Sequence, residues 1–100
     1  MWTLEEIREE YDRLDRYLGI DTRAIRLSFS KRMRQQHGVC CFRGGRPTEI
    51  RLADFLRADD EAMLDTARHE YAHAAAALLT GQRHGHDALW KSLCVRIGCR

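Results

Sequence analysis

Two histidines four residues apart, His69 and His73, stand in the stretch ARHEYAHA with Glu70 directly after the first. On a helix, residues at this spacing lie one turn apart and nearly in line, so both imidazoles can turn toward one ion. The glutamate then projects beside the pair, within reach of a water on that ion without being a ligand itself. Zinc suits such a site, because catalytic zinc takes three protein ligands and keeps a position for a water whose pKa it lowers toward about 7. Glu70 would accept the proton as water attacks a carbonyl and later deliver it to the leaving amine. The HExxH pattern specifies only three residues and can arise by accident on a histidine-rich helix, so the reading depends on a third ligand.

That ligand has to lie among the 27 residues that follow His73. A compact metzincin site would need a histidine six residues on, but Leu79 stands there. No glutamate follows Glu70, which removes the usual gluzincin ligand and leaves Asp87 as the acidic option. His84 and His86 remain, in RHGHDALW, and a histidine delivered by the turn between two helices is the better choice. Thr66, Ala76 and Ala77 share the histidines' side of the helix and are small enough to leave room for a third ligand and a substrate.

The elements that must position these groups follow from periodicity and caps. Residues 3 to 18 read as a scaffold helix: Thr3 and Glu6 have capping-box spacing, Trp2 and Ile7 have staple spacing, and Gly19 is placed to end it. Its apolar stripe is Leu4, Ile7, Tyr11, Leu14 and Leu18. From Ala24 the period changes to two, giving three short strands around Ile25 to Phe29, Val39 to Phe42, and Ile50 to Leu52. Gly38 and the Gly44-Gly45-Arg46-Pro47 segment read as the turns between them.

A second helix is expected from about Asp60 to Thr80, with Leu64, Ala67, Tyr71, Ala75 and Leu78 on its core face and the histidines on the opposite side. A third is expected from about Asp87 to Ile97, stopped by Gly98. The fold class is α+β: an N-terminal helix, a three-stranded sheet, the HExxH helix and a C-terminal helix.

At 100 residues the chain is expected to form one domain. The acidic, amphipathic N-terminus is unlike a secretory signal, and no apolar stretch is long enough to span a membrane, so a cytoplasmic protein without a membrane partner is expected. Four cysteines without a CxxC pair read as reduced, partly buried thiols. Net charge is only +2, but residues 23 to 57 carry nine basic and two acidic side chains. Within that block Lys31, Arg32, Arg34, Arg43 and Arg46 are candidate nucleic-acid contacts, with an ordinary solvated face as the bland alternative.

The order and spacing of IRLSFSKRMRQQHGVC, IRLADFL, HEYAHA and GHDALW resemble the SprT-like family of zinc metallopeptidases, over about residues 24 to 98. The resemblance implies a small zincin-like domain with one catalytic zinc held by His69, His73 and His86. It implies that Glu70 is the general base and that the substrate is a protein or peptide, extending to proteins associated with or crosslinked to DNA. His86 is selected because the family's third ligand lies four residues before an aromatic, here Trp90.

His84 then becomes a neighbour that polarises the substrate or is merely exposed. Asp87, where many relatives have glycine, would cap the last helix or hydrogen-bond a ligand imidazole. Many relatives continue into a C-terminal zinc ribbon that these 100 residues lack, which leaves any DNA contact to the basic block. The competing readings are a non-catalytic zinc-binding module and a basic nucleic-acid-binding domain. Oligomeric state is not legible.

Overall fold

The capping box forms as the spacing requires. Thr3 Oγ1 accepts the Glu6 amide at 3.2 Å, and Glu6 Oε1 accepts the Thr3 amide at 3.0 Å. Helix α1 then runs Leu4–Leu18 and ends at Gly19, whose φ of 73° takes the left-handed conformation that suits glycine. The computed structural model describes all 100 residues. After α1 come strands β1 (Arg26–Ser30), β2 (Gly38–Arg43) and β3 (Arg46–Ala53), a short 3₁₀ turn, and helices α2 (Asp60–Thr80) and α3 (Ala88–Ile97). The expected α+β layout is what the chain adopts.

The sheet order is β1-β3-β2. β1 pairs with β3 in parallel and β2 pairs with β3 antiparallel. Gly44 and Gly45 close the β2–β3 hairpin with φ of 59° and 78°, the pair of positive values that a tight two-residue hairpin turn demands. Pro47 lies opposite Phe42 beside a bulge in β3, where Thr48 is the extra residue and a missing amide is tolerated in the central strand. β2 is left as a free edge.

α1 is fastened to α2 by buried polar bonds as well as by packing. The Tyr11 hydroxyl donates to the Ala67 carbonyl at 2.6 Å, and the Tyr71 hydroxyl donates to Asp15 Oδ1 at 2.7 Å. The Thr22 amide donates to the other oxygen of Asp15 at 2.8 Å, so this buried carboxylate is fully used. The two tyrosine rings pack 5.0 Å apart. Arg68 adds a bond to Glu10 at 2.8 Å and another to the Gly98 carbonyl at 3.2 Å, tying α2 to α1 and to the end of α3. Tyr71 is therefore a structural residue, engaged away from the histidine face.

Four local expectations are corrected. α2 is covered on most sides and not along one stripe: Met63, Thr66, Ala67 and Tyr71 are buried, and so are Ala72 and Ala74 through Ala77. Its small residues let the sheet and α3 approach closely. Leu78, expected in the core, is exposed at the end of α2, beside the β2–β3 hairpin. Gly38 begins β2 and is not a turn; a Cβ there would meet the Thr66 methyl at 3.0 Å and Glu70 Cγ at 3.1 Å, so glycine lets the edge strand press against α2. Cys94 and Cys99, expected as free thiols, are joined as a disulfide, because the left-handed cap at Gly98 turns the chain back on α3. Cys40 and Cys41 are free.

Candidate metal centre and catalytic cleft

The last helix is started by Asp87, whose Oδ1 accepts the Trp90 amide at 3.0 Å. This cap fixes where Trp90 enters the core and where the preceding segment, residues 81 to 87, must pass. Trp90 is almost buried, and the three histidines surround its indole. Ring centroids lie 5.1 Å away for His69, 5.3 Å for His73, which stacks on it, and 4.4 Å for His86. The indole N–H also donates to the His69 carbonyl at 3.3 Å. The aromatic four residues after His86 thus gathers the candidate ligands around one rigid ring.

His73 and His86 stand together, with ring centroids 4.9 Å apart. His73 Nδ1 lies 3.1 Å from the His84 carbonyl, which can only accept, so Nδ1 carries the hydrogen. Burial lowers the His73 pKa and favours the neutral ring, and its Nε2 lone pair is then available to a metal. No hydrogen bond ties either ring nitrogen of His86 to the protein. His84 is occupied on both sides, with Nδ1 2.6 Å from Asp87 Oδ2 and Nε2 2.8 Å from Thr80 Oγ1. Of the two downstream histidines, His86 has the free donors. His84 contributes its backbone carbonyl to orienting His73.

His69 is the outlying member. Its Nε2 faces Asp65 Oδ2 at 3.4 Å, and Asp65 Oδ1 accepts the Arg100 amide at 2.9 Å. As the side chains stand, no three metal-binding groups converge on one point. The donor set is nevertheless one that zinc favours: three imidazoles, two of them adjacent, around a common ring, with one carboxylate and one carbonyl as outer partners.

Glu70 faces the other way, toward β2. It lines a cleft of about 280 Å³ together with Gly38, Cys40, Phe42, His73 and His86. Burial pushes its pKa up to about 7, against the opposing pull of the Cys40 backbone amide. The Cys40 thiol is pushed up to about 12, chiefly by burial and then by Glu70, so it is no nucleophile here. Gly38 is the site residue that pattern reading missed. Glycine is a turn signal in a sequence, and nothing in its neighbours shows that a helix will press on it.

The basic block does not form one patch. Lys31, Arg32 and Arg34 lie on the loop where β1 ends and β2 begins, while Arg43 and Arg46 pair across the hairpin at the other end of the sheet. With β2, six residues long and ending at Arg43, running from one to the other, the two groups are about 20 Å apart along the strand. All five side chains are exposed.

The fold and site define a small α+β domain whose histidine-glutamate helix runs beside a free sheet edge. The chain belongs to the SprT-like family, whose family model matches residues 4–100. No curated protein matches it. No helix is long and apolar enough to cross a membrane.

Proposed function

We propose that this chain is a zinc-dependent peptidase in which His69, His73 and His86 hold one zinc and Glu70 is the general base. The observation that carries the reading is the placing of Glu70: a carboxylate with a pKa near 7, next in sequence to His69 and in the same cleft wall as His73 and His86. A base poised near the working pH is what proton transfer at neutrality needs. Zinc, when bound, would supply Lewis acidity to the attacking water and to the scissile carbonyl.

The remaining steps belong to the chain's own groups. The free edge of β2 can take an extended segment as an added strand, with main-chain hydrogen bonds aligning it across the cleft. Gly38 keeps that edge close to Glu70. Glu70 accepts a proton from the attacking water and then gives it to the departing amine nitrogen. His73 is held by the His84 carbonyl and His86 by Trp90, so two of the three imidazoles are oriented before any ligand arrives. For His69 the reading requires the imidazole to turn away from Asp65. A narrow cleft beside an edge strand suits unfolded or flexible segments of proteins, not intact domains.

Glu70→Gln is the test. The zinc-loaded variant is expected to keep its metal and to lose at least about a hundredfold in turnover of an unfolded protein substrate. Retained turnover would overturn the base assignment. A wild type that binds zinc and cleaves nothing would favour a non-catalytic zinc module.

Proteins bound to DNA are the proposed substrate setting. The observation favouring it is the exposed Phe55, half accessible, beside Lys31, Arg34 and Met33, with the neighbouring Asp54 carboxylate paired with Arg57. An aromatic face flanked by unpaired cations suits a single-stranded nucleic acid.

A further inference from the structure

Arg83 lies on the segment between α2 and α3, three residues before His86. Its guanidinium rests over the Phe42 ring, 5.0 Å from the centroid. Both residues line the cleft that contains Glu70, His73 and His86, and Arg83 is the only lysine or arginine in that lining. None of the chain's ion pairs includes it. The nearby Asp87 is committed to His84 and to the start of α3. A cation–π contact holds the guanidinium over the ring, and no protein hydrogen bond takes its N–H groups, which leaves them free to grip a carboxylate with two parallel bonds.

The position along β2 gives the subsite. Cys40, whose amide acts on Glu70, marks the reacting end of the strand, and Phe42 is two positions further on. Two residues of extended chain span about 7 Å. A peptide laid along the edge of β2 would therefore bring a side chain to Arg83 about two residues from the bond beside Glu70. The lysine and arginines of the β1–β2 loop lie at the opposite end of the strand, so they do not compete for that side chain.

We propose that Arg83, held over the Phe42 ring, is a specificity-determining residue that receives an aspartate or glutamate side chain of the substrate about two residues from the scissile bond. This deepens the peptidase reading and rests on it for the word substrate. The carboxylate site itself is testable without turnover.

Two assays on the full zinc-loaded chain separate these. In the first, fluorogenic peptides differing only by Asp, Asn or Lys at each position around the bond are compared with wild type, Arg83→Gln and Arg83→Glu. One position is expected to favour Asp over Asn by about tenfold in kcat/KM in the wild type, mostly through KM. That ratio falls to about one in Arg83→Gln, and Arg83→Glu favours Lys, as expected for a paired charge. A wild type that cleaves the peptides without the preference, or a preference that survives Arg83→Gln, overturns the proposal.

In the second, anisotropy of labelled Asp and Asn peptides is read on the Glu70→Gln background with and without Arg83→Gln. Tighter binding of the Asp peptide that needs Arg83 supports the carboxylate site even if the wild type cleaves nothing, and then the peptidase reading alone fails. Equal binding of the two peptides, or none up to about 1 mM, overturns the site. Weaker binding of a single-stranded oligonucleotide in Arg83→Gln with an unchanged Asp/Asn ratio also overturns it, since the guanidinium would then serve phosphate.

Discussion

Glu70 shows how much a residue's role depends on what covers it. HExxH identified it as a candidate base from spacing alone, but its raised proton affinity comes from burial where β2 presses on it at Gly38, with the Cys40 amide pulling the other way. Spacing is local and that packing is not, so the sequence could supply the residue without its pKa. Burial raises the Glu70 pKa from 4.5 to about 7, so folding of the metal-free protein favours the protonated form. That contribution is fully present below about pH 4.5 and is lost as pH rises through about 7. Metal-free Glu70→Gln, which cannot ionise, is therefore expected to gain on metal-free wild type by up to about 2–3 kcal/mol at pH 8 and by little at pH 4. Urea unfolding at the two pH values measures it, and a difference that does not change with pH would contradict the assignment.

Among the elements, the helices were legible and the sheet was only partly so. Caps and stops are local chemistry: Thr3 with Glu6, Gly19, Asp59, Gly81 and Gly98 all do what their types imply. Strand order is set by long-range pairing, and alternation of apolar residues does not reveal that β3 is central or that β2 is the free edge. The turn after α2 is the element on which the site depends. Asp87 joins the cap of α3 to His84, and the His84 carbonyl in turn holds His73. Of the two roles considered for Asp87 in the sequence, the helix cap is formed; the imidazole it bonds is that of His84, which is not one of the proposed ligands. Asp87→Ala is expected to leave helix content nearly intact and to weaken zinc binding by about 10–100-fold, as loss of an outer partner does. Competition against a chromophoric chelator measures this; unchanged affinity would show that the turn is held by other means.

At the scale of the molecule, one hydrophobic core joins the helices to the sheet and includes Ile7 and Leu14 of α1, Ile50 and Leu52 of β3 and Leu93 of α3. The charge block visible in the sequence is divided by the fold into two groups at opposite ends of the sheet. Charge counted along a chain carries no information about that division. If the loop group with Phe55 meets single-stranded DNA, replacing Lys31, Arg32 and Arg34 by alanine should abolish most of the binding, and replacing Arg43 and Arg46 should change it little. Three phosphate contacts would give a slope of about −2 for log affinity against log salt. Equal losses in both variants would refute an interface at the loop.

The central claim, a three-histidine zinc site, is tested most directly by elemental analysis of purified wild type, His86→Ala and His84→Ala after loosely bound metal is removed. One zinc per chain in the wild type, retained in His84→Ala and lost in His86→Ala, is the expected result. No zinc in the wild type after reconstitution, or loss with His84→Ala and not with His86→Ala, would contradict it.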